Sequence, residues 1–148
     1  MVDRVLAVGA WESLFRAQVA IMRSLAEDFP SREISMNEYD VMFNLSRQPD
    51  RSIRLRELNK HVLLTQPSVS RLVDRLASRG YLHKHTDPDD GRGAIVELTD
   101  AGYALFRRVA VDHMSSITSR IGDSLTAEEL VQLTALCDRL RLGSDEPS

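Results

Sequence analysis

The 148 residues suffice for one domain whose core needs no covalent staples. Apolar residues make up 43% and charged residues 28%, a globular balance, and the single cysteine, Cys137, excludes an internal disulfide. The formal charge of -3 excludes a surface built to hold polyanions everywhere, but the charge is unevenly spread: 51–93 holds nine Lys/Arg against five Asp/Glu, the remainder ten against seventeen. A basic segment inside an acidic chain is the footprint expected of a nucleic-acid reader.

In chain order, 4–29 reads as a long helix, with Trp11, Leu14, Phe15, Ile21, Met22, Leu25 and Phe29 at helical spacing and Pro30 as its stop. Neither a signal peptide nor a membrane span is read here, so the cytoplasm is the expected compartment. Ser35 and Glu38 form a capping box that opens a second helix, with Tyr39, Met42, Phe43 and Leu45 facing inward. Gln48-Pro49-Asp50 is a turn, Ile53-Arg54 a short extended piece, and Leu55, Leu58 and Val62 mark a third, short helix.

The fourth helix, 65–80, organises the rest. Val69, Leu72, Val73 and Leu76 fall at i, i+3, i+4 and i+7, Thr65 caps its start, Pro67 sits in the first turn and Gly80 ends it. Its other face carries Gln66, Ser68, Ser70, Arg71 and Arg75, with no carboxylate before Asp74. A helix buried on one side and rich in donors on the other suits the major groove of B-DNA. Two short helices joined this closely form a helix-turn-helix.

Residues 81–86 and 94–98 alternate like strands around the turn-rich segment 87–93, a hairpin wing. Arg92 is expected at its tip between two glycines, placed for a narrow minor groove. Thr99 caps a helix running to about Ile121, with Leu105, Val109, His113, Ile117 and Ile121 along one stripe. Thr126 and Glu129 open a last helix with Leu130, Leu133, Cys137 and Leu140 at coiled-coil-like spacing, before a polar tail at 143–148. The outer helices carry more apolar stripe than a wing domain needs, which points to symmetric dimerisation.

The run from Leu63 through Thr65-Gln66-Pro67-Ser68-Val69-Ser70-Arg71-Leu72-Val73-Asp74-Arg75-Leu76 resembles the MarR family of winged helix-turn-helix regulators. So do Arg79-Gly80-Tyr81-Leu82, Asp87-Pro88-Asp89-Asp90-Gly91-Arg92, Val96-Glu97-Leu98-Thr99-Asp100-Ala101-Gly102 and the second helix from Met36 to Met42. Two features depart from the family's pattern: the helix-turn-helix turn has no glycine, and the wing has a single arginine at its centre.

The resemblance implies a mainly α fold with a small β wing. It makes 1–148 a single MarR-like domain, 35–100 its winged helix-turn-helix lobe, and 4–29 with 101–142 the flanking dimerisation helices. It also implies a homodimer on a pseudo-palindromic operator in double-stranded DNA. The expected role is a repressor, cytoplasmic and nucleoid-associated, released by a small aromatic or phenolic effector. By motif position Ser68, Ser70, Arg71 and Arg75 face the major groove and Arg92 the minor groove, and Arg54, Thr65, Gln66 and Lys84 complete the DNA-binding set.

Arg71 reads either a guanine edge or a phosphate, and Ser68 and Ser70 bond either phosphate or local backbone. Asp74 either orients Arg71 or forms an ordinary helix pair. Trp11, Tyr39 and His113 either line an effector pocket or pack a core. Cys137 is read as a buried, inert thiol. Gly122-Asp123-Ser124-Leu125 spells a hydrolase signature, but no histidine follows His113, so no enzyme is expected. No cofactor or metal is expected either: His83 and His85 share a strand face without further ligands in sight. The alternatives are a cysteine-redox or metal-responsive regulator of the same fold, or a non-specific DNA-binding or interaction module.

Overall fold

A computed structural model describes residues 2–143; the polar tail expected beyond Gly143 lies outside them. Its elements are α1 (Arg4–Asp28), α2 (Met36–Ser46), β1 (Ser52–Arg54), α3 (Leu55–Leu58), α4 (Gln66–Ser78), β2 (Leu82–Asp87), β3 (Asp90–Leu98), α5 (Asp100–Ile117) and α6 (Ala127–Gly143). The fold is mainly helical with one three-stranded antiparallel sheet, ordered β1-β3-β2. The chain divides into two compact units, Phe29–His113 and the terminal segments up to Asp28 and from Met114.

The central unit holds the core. Val69, Val73 and Leu76 of α4 are fully buried and Leu72 nearly so, the stripe expected from their spacing. They join Ile34, Val41, Met42 and Leu45 from the α2 region, Leu58 of α3, Leu82, Val96 and Leu98 of the sheet, and Leu105 and Val109 of α5. Each such side chain contributes about 1.5–3 kcal/mol of burial. Ser35 Oγ accepts from the Glu38 N–H at 3.1 Å while Glu38 Oε1 accepts from the Ser35 N–H at 2.9 Å, so the capping box forms as expected. Phe43, expected inward, is 39% exposed, since α2 turns Val41 into the core and leaves Phe43 beneath the Arg47 guanidinium.

The third helix is shorter than expected. Lys60 and His61 bond back three residues, to Glu57 and Leu58, so the chain tightens before Val62. At the far end of α4 the Gly80 N–H bonds Ala77 O and the Tyr81 N–H bonds Leu76 O, with Gly80 at φ 83°. This is a Schellman stop, and its left-handed residue favours glycine. Thr99 then joins three elements. Its N–H bonds Tyr81 O, its hydroxyl lies 2.8 Å from Gly80 O and 3.0 Å from Tyr81 O, and its oxygen accepts the Gly102 N–H that opens α5.

The terminal unit holds α1, α6 and a single π-helical turn, Thr118–Gly122, so the fifth helix ends as regular α-helix at Ile117, short of Ile121. Leu25 is the one buried residue of α1, and α6 has none. The α6 capping box is formed, with Thr126 N–H on Glu129 Oε1 at 3.0 Å and Glu129 N–H on Thr126 Oγ1 at 3.2 Å. Cys137 is half-buried, not enclosed. By length and a mean hydropathy of 1.3, α1 is apolar enough to cross a membrane, although no span is expected from the residue pattern. Glu12 and Arg16 lie within it, and a charge at mid-bilayer costs about 2.5–3.5 kcal/mol.

Candidate nucleic-acid interface

Because α4 buries one face completely, its opposite face is set at the surface. Gln66, Arg71 and Arg75 are exposed, and Ser68 and Ser70 are half-buried. Thr65 Oγ1 accepts the Ser68 N–H at 3.3 Å, the N-cap expected of it, and donates to Ser68 Oγ at 2.9 Å. Arg71 Nη2 rests 3.4 Å from the same Ser68 oxygen. Thr65 and Ser68 therefore organise the first turn of the helix and hold Arg71 lightly. No carboxylate among the described residues pairs with Arg71, Arg75 or Arg92.

Beside α4 lies a cleft of about 410 Å³ whose walls include Arg54, Arg56, Gln66, Ser70, Lys84 and Arg92. It thus brings five of the expected DNA-binding residues together. The other four, Thr65, Ser68, Arg71 and Arg75, are carried by α4 and its cap. The cleft also holds Arg56 and Asn59, which sequence reasoning missed. Asn59 has a buried side-chain oxygen without a hydrogen-bond partner among the described residues, and no spacing rule would have singled it out.

The cations of the cleft are not equally free. Arg54 Nε donates to Asp87 Oδ2 at 2.7 Å, and its Nη2 lies 3.4 Å from Asp89. Asp87 is 2% exposed, and the Asp89 N–H together with Arg54 holds its carboxyl below the usual carboxylate range. Lys84 Nζ sits 3.2 Å from Asp74 Oδ1, and Arg56 is 3.9 Å from Asp90. Asp74, expected beside Arg71 on its own helix, therefore reaches across to the wing instead. Of the cleft's cations, Arg54, Arg56 and Lys84 are thus held by carboxylates of the same segment, and among the described residues Arg92 is not.

The wing also differs from expectation. The hairpin closes at Pro88-Asp89, since Asp87 pairs with Asp90 and Asp87 Oδ1 accepts the Asp89 N–H. Thr86 pairs with Ala94, so Gly91, Arg92 and Gly93 form a bulge on the returning strand. Asp90 Oδ1 bonds the Arg92 N–H at 3.1 Å and shapes this bulge. Arg92 is exposed, on the flank of the wing rather than at its tip.

The three residues expected at an effector site are not presented as a pocket. Trp11 belongs to the terminal unit, 60% exposed, with its ring 5.7 Å from Phe15. Tyr39 and His113 are core groups. Their rings lie 4.8 Å apart edge to face, and Phe29 and Phe106 flank them. Burial lowers the His113 pKa and raises that of Tyr39, and among the described residues His113 Nδ1 has no hydrogen-bond partner. A separate cleft of about 380 Å³ in the central unit is lined by Pro30, Arg32, Glu33, Arg108, Val109 and Asp112.

Comparison with known proteins places this geometry. A model of the MarR family matches residues 33–93, the span from the α2 cap to the wing bulge. Over the whole chain the fold follows that of Sco3205, a MarR family transcriptional regulator from Streptomyces coelicolor solved in complex with DNA. The TM-score is 0.79 at 26% identity, covering 100% of this chain and 92% of that one. The winged lobe is that of the MarR family, and the likeness of the chain to MarR-family transcriptional regulators runs through the terminal helices as well. The HTH-type transcriptional regulator PecS of Dickeya dadantii is 27% identical over 140 residues, 94% of this chain and 82% of PecS. BpsR of Bordetella bronchiseptica, whose DNA binding is regulated by 6-hydroxynicotinic acid, aligns with a TM-score of 0.73 at 26% identity. That alignment covers 92% of this chain and 93% of BpsR.

Proposed function

We propose that this regulator is a cytoplasmic repressor that binds a pseudo-palindromic operator as a homodimer and leaves it when a small aromatic acid binds. The observation that carries the reading is the exposed face of α4, where Arg71 and Arg75 stand without carboxylate partners next to the cleft that holds Gln66, Ser70 and Arg92. In this reading α4 enters the major groove. Arg71 reads a base edge, Arg75 and Thr65 with Ser68 meet phosphates, and the Arg92 bulge follows the backbone into the minor groove. Arg54 and Lys84 are the outer contacts, since each must first loosen an ion pair.

Dimerisation is supported by the terminal unit. Leu6, Trp11, Phe15, Leu136 and Leu140 are each between 50% and 71% exposed on α1 and α6, far more apolar surface than a monomer leaves in water. A second copy covers it and sets two α4 helices about one DNA turn apart, about 34–36 Å. The effector reading is supported by BpsR and by the cleft at Arg32, whose guanidinium suits a carboxylate, while Arg108 in the same cleft is held 3.4 Å from Glu33. It moves the effector site from Trp11, Tyr39 and His113 to this cleft of the central unit.

Footprinting on the DNA around the protein's own gene tests the proposal. Protection of an inverted repeat, lost with Arg71→Ala and with Leu136→Glu, supports it. Equal competition by random duplex, or a monomer at micromolar concentration, overturns it. Release of that footprint by aromatic acids, weakened by Arg32→Ala, tests the effector arm.

A further inference from the structure

The outer face of the wing sheet carries three ligand-type side chains that no DNA contact uses. His83 and His85 are two residues apart on β2 and so project to the same side. Glu97 on β3 stands directly opposite His83 in the register. The two imidazoles stack with centroids 5.2 Å apart and planes at 28°. One ligand atom from each of the three residues lies within 4.8 Å of the others. Lys84, between the histidines, points to the opposite face, where it is occupied by Asp74.

Among the described residues, none of the three side chains has a hydrogen-bond or ion-pair partner to fix its position. His85 Nδ1 is buried without a hydrogen bond. The Glu97 carboxylate takes part in no hydrogen bond or ion pair among the described residues. Two imidazoles and an anion facing one point form a donor set that a cation completes. We propose that this face binds one divalent transition-metal ion of the Zn2+ type through His83, His85 and Glu97, with water in the fourth position.

Two imidazoles and a carboxylate are a known three-ligand set for Zn2+ and disfavour Mg2+, which prefers oxygen and keeps its waters. Tetrahedral ligands at about 2.1 Å from the ion are about 3.4 Å apart. The separations therefore close by up to about 1.4 Å, a rotamer adjustment at a surface site. The ligands come from both strands of the hairpin, so the ion ties β2 to β3 beside the Arg92 bulge. This site is independent of operator binding and of the effector cleft.

Calorimetric titration of Zn2+ into the full chain tests it, with Co2+ spectra as a report on coordination. One ion per chain is expected. His83→Gln and Glu97→Gln each weaken binding about tenfold or more, since even outer-shell partners of a ligand are worth that much. His61→Ala, a histidine outside the cluster, leaves it unchanged, and Mg2+ gives no heat. Zn2+ raises the thermal midpoint of the native chain but not of Glu97→Gln. Retained Zn2+ binding in both cluster variants, its loss in His61→Ala, or no binding at all overturns the proposal. Because the substituted side chains are at the surface, the metal-free thermal midpoints stay at the native value and folding does not confound the comparison.

Discussion

Arg75→Ala separates free cations from neutralised ones. Arg75 is exposed and, among the described residues, has no carboxylate partner, whereas Lys84 is held 3.2 Å from Asp74. Taking one cation away from a B-DNA phosphate flattens the slope of log K against log salt by about 0.9, and a dimer gives up two, about 1.8 in all. Between 50 and 200 mM salt, roughly a fourfold range, the native protein should weaken about twelvefold more than the variant. The Lys84→Ala/Asp74→Ala double variant removes a cation and an anion that already cancel, so its slope should stay within about 0.3 of native. Fluorescence anisotropy on a short duplex of arbitrary sequence reads both, since phosphate contacts carry no sequence. If Arg75→Ala leaves the slope unchanged, or the double variant flattens it equally, ion pairing within the lobe does not decide which cations meet DNA.

Three further outcomes follow from the packing. A Cβ at Gly102 would overlap the Tyr81 carbonyl oxygen and come within 2.8 Å of Leu98 Cδ1. Gly102→Ala should therefore destabilise by about 1–3 kcal/mol in urea unfolding, outweighing the helix propensity gained, about 1 kcal/mol. Ser35→Ala removes one half of the α2 capping box and should cost about 0.5–2 kcal/mol, read the same way. Burial lowers the His113 pKa, so the unfolded chain takes up this proton more readily than the folded one. The contribution is complete above the ordinary value of about 6.5 and fades as pH falls from there toward the lowered folded value. Denaturation midpoints at fixed protein concentration should drop over that interval and flatten in His113→Phe; an equally steep variant would refute the assignment.

Where a rule of period or capping applies within one helix, residue spacing alone located the structure. The Val69–Leu76 stripe, the Thr65 cap and both capping boxes are of this kind, because their partners lie three or four residues away. What was not legible depends on partners distant in sequence. Arg54 with Asp87 and Lys84 with Asp74 meet only once the strands have paired and α4 has packed, so their mutual neutralisation was invisible. The same holds for Glu97, whose place opposite His83 is a matter of strand register. In the wing, 87–93 was correctly rich in turn formers. Two aspartates bonding their own backbone, Asp87 and Asp90, decided which two residues turn and which three bulge. Phe43 was misplaced because an apolar letter on a short helix does not say whether the core has room for it.

The hydroxyl of Thr99 has a wider consequence. It sits where the stop of α4, the root of the wing and the first turn of α5 converge, and a single proton is shared between two carbonyls there. The three pieces are riveted at one atom. A side chain lacking that oxygen would free all of them together, and serine is the sole simple substitute. The end of the reading helix is thereby tied, through one side chain, to the first turn of α5.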